Sequence, residues 1–178
     1  MRTVEEQGRV VPLDSLAGRR GLPLPQDALL VLIQPRPLTP DENVALDTWV
    51  RAGGHVLLFA DPMLTVHSAF ALGDPRRPQD VAMLSPILDH WGLSLEFDDT
   101  QRNEERYQQV RGTSIPVNLR GQLRVSPAGA CRTEATKLLA DCRIGKGRAV
   151  VIADAALFDG EDAGRVGAFR ALISLAAS

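Results

Sequence analysis

The stretch "LLVLIQPRPLTPDENVALDTWVRAGGHVLLFADP", residues 29–62, leaves the chain few folds to choose from. Residues 28–34 run almost unbroken in Leu, Val and Ile, the composition of a parallel strand buried on both faces, and Pro35 and Pro37 end the run. Thr39 with Glu42 three residues later forms a capping box, and Pro40 occupies the first helical position, where its missing N–H is not needed. Ala45, Leu46, Trp49 and Val50 recur at helical spacing and give that helix one apolar face. Gly53 and Gly54 then stop it, one of them in the left-handed position that glycine adopts cheaply, and "HVLLFA" supplies a second buried strand. Strand, helix and strand in so short a span predict a right-handed βαβ unit and a sheet that is at least partly parallel.

The rest of the chain is read around that unit. An apolar run covers Val10 to Leu13, and residues 63–83, with Gly73, Pro75 and Pro78, predict a long surface excursion with little regular structure. A short helix is expected to start at Pro86 after Ser85, bury Leu88 and Trp91, and stop at Gly92. Leu93, Leu95 and Phe97 alternate as a half-buried strand, whereas the polar run that follows predicts an exposed, mobile loop around 98–114. "SIPVNL" and "GQLRVS" are short strand candidates, and Gly145–Gly147 predict a tight hairpin turn feeding a strand over 148–153. Val166, Phe169, Leu172, Ile173 and Ala176 place one apolar face on a closing helix. At 178 residues, without internal repeats, the chain predicts a single α/β domain spanning 1–178.

Composition removes several function classes. The net charge is −2 and aromatic residues are 4%, with Tyr107 the single tyrosine, so neither a polyanion-binding surface nor a base- or sugar-stacking platform is expected. No segment has the roughly 18 consecutive apolar residues of a membrane span, and the N-terminal residues lack the apolar core of a signal peptide. Cys131 and Cys142 are not spaced as a metal-binding pair; they fit either one disulfide in an oxidising compartment or two buried thiols in a reducing one. No metal site and no cofactor are expected.

The chemistry-bearing residues are few. "IGKG" contains glycines and a lysine, but it lacks the full phosphate-loop pattern and precedes a strand, so it reads as a hairpin turn. No G-x-S-x-G or G-x-C-x-G elbow supplies a nucleophile, Ser68 beside His67 being adjacency rather than triad geometry. His55 sits at a strand start and His90 near a helix end, where a protonated imidazole is favoured. Asp61 and Asp154 each fall at the carboxyl end of a predicted parallel strand, the edge where open α/β sheets bind ligands. Such acids serve a metal or a proton transfer, or else cap the following turn through backbone N–H groups. Asp61, His67 and Asp154 are therefore the candidate binding rim, with no catalytic residue assigned.

Taken in order, "LVLIQPRPLTPDENVALDTWVRAGGHVLLFADP", "LSPILDHWGLSLEFDD" and "GKGRAVVIADAALFDG" resemble the GldG-type family of gliding-motility and ABC-transporter auxiliary proteins, across most of residues 10–160. That resemblance implies a three-layer, mostly parallel, flavodoxin-like sheet related to class I glutamine amidotransferases but without their nucleophile. It also implies a chain that enters the family pattern late, with a sheet lacking the first strand and helix and an exposed edge open to self-association. The role implied is a non-enzymatic auxiliary domain acting by protein interaction or ligand sensing, with ABC-transporter permease or ATPase subunits as partners. The location implied is the periplasmic part of a membrane-anchored parent, a cytoplasmic one being the alternative. A hydrolase or amidotransferase-related enzyme using the strand-end carboxylates, and a small-molecule or carbohydrate-binding module, are the competing readings.

Overall fold

The computed structural model describes residues 9–178 except 20, 67, 72, 73, 75, 76 and 128. Its centre is the predicted unit: strand β1 (Leu29–Ile33), helix α1 (Pro40–Arg51) and strand β2 (His55–Phe59), with β1 and β2 parallel and Leu29 in register with His55. The Thr39 side chain accepts the Glu42 N–H while the Glu42 carboxylate accepts the Thr39 N–H, so the capping box is complete. Glu42 also accepts hydrogen bonds from Ser15, from the Leu16 N–H and from both terminal nitrogens of Arg36, tying the N-terminal segment to the helix start. At the other end the two glycines have different tasks. Gly53 has φ +126°, and a Cβ on Gly54 would stand 2.3 Å from the Trp49 ring, so only glycine lets that ring lie against the backbone.

The short helix α2 (Ser85–His90), with proline in its first turn, leads into β3 (Leu93–Phe97), which pairs antiparallel with β6 (Gly121–Val125). Between them the structure departs from the expected loop around 98–114: β4 (Arg106–Val110) and β5 (Thr113–Val117) form an antiparallel hairpin. Arg111 and Gly112, its two turn residues, both have positive φ, the backbone of a type I′ turn. Polarity hid this strand, because "RYQQV" buries only Val110 fully and offers no apolar alternation to read.

The main sheet has five strands in the order β1-β2-β9-β8-β7, with β7 at Cys131–Thr133, β8 at Leu139–Ile144 and β9 at Gly147–Ile152. Two of its pairings are parallel and two antiparallel, so the sheet is mixed where a mostly parallel one was expected. The cause is the Gly145–Lys146 turn, which returns the chain directly alongside β8 instead of through a helical crossover. Helix α3 (Ala163–Ala177) packs over β2, β5 and β9. Alternate residues of β9 reach opposite ways: Arg148 bonds the C-terminal end of α3, whereas Gly147 lies against the Val50 carbonyl of α1. The two long helices thus cover opposite faces of the sheet. Phe59, Phe158 and Phe169 meet edge-on between sheet and α3, and the all-aliphatic centre of β2 and β9 is fully buried.

Val10 to Leu13, the first apolar run, forms no strand, and Val10 and Val11 are exposed. Among the described residues β1 therefore has a strand partner on one side only. Cys131 and Cys142, left open by sequence, lie opposite each other on β7 and β8 and are joined as a disulfide. No helix among the described residues is long and apolar enough to cross a membrane.

Candidate functional site

Adjacent parallel strands in register bring their ends together, and this places the two acids side by side. Phe59 pairs with Ile152, and each strand runs two residues further, through Ala60 to Asp61 and through Ala153 to Asp154. Both carboxylates are buried, Asp61 at 1% and Asp154 at 2% exposure. His67, the third rim candidate, lies outside the described residues.

Each carboxylate is consumed by backbone. Asp61 Oδ1 accepts the Met63 N–H at 2.8 Å and Oδ2 the Ala155 N–H at 3.0 Å, so one side chain joins the loop after β2 to the loop after β9. Asp154 Oδ1 accepts the Ala156 N–H at 2.7 Å and Oδ2 the Asn118 N–H at 2.9 Å, joining that second loop to the end of β5. This is the capping role that strand-end acids commonly take, extended from a local turn to three segments distant in sequence.

Burial raises the affinity of both acids for protons, because a charged carboxylate loses its water. Asp61 is pushed up to about 6 by burial, against the opposing pull of its two N–H donors. Asp154 is pushed up to about 8, first by burial and then by the neighbouring Asp61 charge. The nearby Asp159 is also raised by burial. Arg120, half-buried, is lowered by burial and drawn back by Asp154.

Two residues that the sequence reading left out complete the arrangement. Gln34, buried at the end of β1 with φ +44°, accepts the Asp61 N–H and donates to the carbonyls of Asp61 and Gln79. Asn118 donates from its side chain to Asn103 at 2.8 Å and to Thr65 at 3.4 Å, while its own Oδ1 is buried without a donor among the described residues. The signal was present in both cases: like Asp61, each is a polar residue immediately after an apolar strand.

Among the described residues, the hydroxyls beside this network are hydrogen-bonded, and none faces a histidine. Thr65 donates to Asp159 at 3.5 Å, and the Ser68 hydroxyl accepts the Phe70 N–H two residues on, a local turn. Among the described residues no group of three or more His, Cys, Asp or Glu side chains is arranged to hold a metal ion. The other two histidines lie elsewhere: His55 Nδ1 is 2.8 Å from the Ala176 carbonyl, and His90 faces Asp47 and Arg51 on the surface.

Comparison with known proteins adds a family and a fold. The profile of a domain of unknown function, DUF4350, matches residues 2–176. No curated protein sequence matches the chain. Among solved structures it is similar to Gan42B, a GH42 β-galactosidase from G. stearothermophilus, with a TM-score of 0.50 and 15% identity, over 83% of this chain and 21% of that one. It is also similar to the exo-β-1,4-mannosidase Op5Man5 from Opitutaceae bacterium strain TAV5, with a TM-score of 0.49 and 16% identity, over 88% of this chain and 25% of that one. The chain thus spans a quarter or less of either enzyme.

Proposed function

The chain belongs to the DUF4350 family, and we propose from the state of its strand-end acids that it is a non-enzymatic α/β interaction domain. The observation that carries this reading is the sealing of Asp61 and Asp154. An acid that acts on substrate needs an oxygen open to a cleft; here both carboxylates lie beneath the surface, and each of their four oxygens accepts a backbone N–H group. The ligand edge of the sheet is built as a structural lock.

The finer assignment is to an auxiliary domain of an ABC-type transport or gliding-motility-like complex, with a flavodoxin-like, amidotransferase-like core. The resemblance to GldG-type proteins, the strand-end position of the acids and the missing nucleophile support it. Its partners in this reading are permease or ATPase subunits, and its location is periplasmic. The Cys131–Cys142 disulfide supports an oxidising compartment. Strand β1 supports a contact role, since its outer edge is unpaired among the described residues and Ile33 is 44% exposed. Self-association through this edge follows, and light scattering should show a dimer that Ile33→Lys returns to monomer.

The deciding experiment is a turnover screen of the purified domain with glutamine, p-nitrophenyl esters and p-nitrophenyl glycosides. The expected result is no rate above buffer for wild type. A rate that disappears in Asp61→Asn, with the fold intact by circular dichroism, would overturn the reading in favour of an enzyme.

A further inference from the structure

The β7 edge of the sheet, opposite β1, carries a cavity of about 540 Å³ lined by Arg111, Arg132, Arg143, Asp141, Cys131 and the Gly129–Ala130 backbone. Three guanidinium groups converge on this one hollow, whose lining carries a single acid, Asp141. Their placement follows from register: Arg132 pairs with Asp141 across β7 and β8, Arg143 lies two residues further along the same face of β8, and Arg111 reaches in from the β4–β5 turn.

Counting the charge around Asp141 shows which cations are spent. Its carboxylate is gripped by Arg148 through Nε at 2.8 Å and Nη2 at 2.7 Å, and it also accepts from Arg111 Nη2 at 3.2 Å. Arg111 gives its Nε to Glu134 at 3.0 Å. Arg132 and Arg143 are exposed, and among the described residues neither side chain makes a hydrogen bond or a salt bridge, Arg143 acting on Asp141 only through its charge. Asp141 is lowered first by its hydrogen bonds from Arg148 and further by the charges of Arg148, Arg111 and Arg143, so one carboxylate faces several guanidinium groups. The hollow therefore keeps two permanently charged forks whose donors are not hydrogen-bonded among the described residues and match the geometry of carboxylate or phosphate oxygens, at a place braced by a disulfide.

We infer that this cavity is a binding site for a small organic oxyanion, a molecule bearing carboxylate or phosphate groups on an organic body. Arg132 and Arg143 hold the anionic group, and Arg111 contributes charge from the third side. The organic body is argued from size, since the cavity falls in the range of about 300–1,000 Å³ that small organic ligands occupy and far exceeds what inorganic phosphate fills. The lining includes neither Asp61 nor Asp154, and the site does not depend on the interaction role proposed above.

Isothermal titration of the full chain with citrate, glucose 6-phosphate, inorganic phosphate and glucose tests it. Citrate or glucose 6-phosphate should bind saturably at about 1 mM or tighter, inorganic phosphate more weakly and glucose not at all. Added NaCl should weaken the binding. The double variant Arg132→Gln/Arg143→Gln, which removes no side-chain hydrogen bond or salt bridge seen among the described residues, should stay folded with a melting temperature close to wild type and bind at least roughly tenfold more weakly. Carboxylate-only or phosphate-only binding identifies which oxyanion the site takes. Absence of saturable binding by all three anions, equal binding of glucose, inorganic phosphate as tight as the organic anions, or an unchanged affinity in the double variant would each overturn the assignment.

Discussion

Gln34 and Asp61 hold each other as two peptide groups would: the Gln34 side chain accepts the Asp61 N–H at 2.8 Å and donates to the Asp61 carbonyl at 2.9 Å. The amide of one strand end thus imitates a further rung of the β1–β2 ladder, and its second donor hydrogen extends the link to the Gln79 carbonyl. Gln34→Leu keeps the volume and strands the buried Asp61 N–H. With about 1–3 kcal/mol for an unsatisfied buried group, urea denaturation should show a loss of about 2–4 kcal/mol in unfolding free energy.

The acid pair gives stability a pH dependence of defined sign. Asp154 and Asp61 bind protons more tightly folded than unfolded, where an aspartate titrates near about 3.9. Their contribution is therefore fully present below about pH 4 and is lost as pH rises through about 6 and then about 8. Wild type should lose stability on the order of a few kcal/mol across this window. Asp154→Asn, which has no proton to lose, should be less stable than wild type at pH 4, and the gap should narrow steadily towards pH 8. A gap that stays constant or widens in denaturation curves taken along this series would contradict the assignment.

Glu42 acts with the opposite sign. The Arg36 guanidinium and the surrounding donors hold its carboxyl far below the usual carboxylate range, so its contribution is present above about pH 4.3 and disappears on further acidification. Glu42→Gln should keep the capping box, since an amide oxygen still accepts the Thr39 N–H, but remove the Arg36 ion pair and one of the two acceptor oxygens that Ser15, Leu16 and Arg36 share. A loss of about 1–3 kcal/mol at pH 7, vanishing in acid, is expected from chemical denaturation.

Arg148 fastens α3 to the sheet. It is buried, grips Asp141, and donates to the Leu175 carbonyl at 2.6 Å and the Ser178 hydroxyl at 2.7 Å. Arg148→Ala should cost about 3–5 kcal/mol, the range for a buried pair that loses one partner. Hydrogen exchange should show the last turn of α3 opening first.

Removing the Cys131–Cys142 link should lower the melting temperature. The bridge closes a short loop, with a sequence separation of 11, so about 2–3 kcal/mol is expected. Cys131→Ala/Cys142→Ala, or reduction of wild type, should show the same drop, and thiol titration of the unfolded, unreduced protein should find none free.

Legibility tracked how locally each feature is encoded. The capping box at Thr39–Glu42, the stop at Gly53–Gly54 and the turn at Gly145 were readable because a few neighbouring residues define them. Strand β4 was not, because "RYQQV" carries little apolar alternation and owes its conformation to pairing with β5. The positions of Asp61 and Asp154 were legible, and so was capping as a role for each. That each would cap a segment remote from its own turn was not, since Ala155 and Asn118 are reached only through the sheet.

By itself, then, the amino-acid sequence determined the βαβ unit and the absence of a nucleophile elbow, both properties of short windows. Tertiary structure alone decided that the two acids are buried with every oxygen occupied, that the two cysteines are opposite each other, and that three arginines share one cavity. The physical reason is common to all three. Burial, pairing and shared charge depend on which strands are neighbours and in what register, and strand order is set by long-range packing that no single stretch of chain encodes.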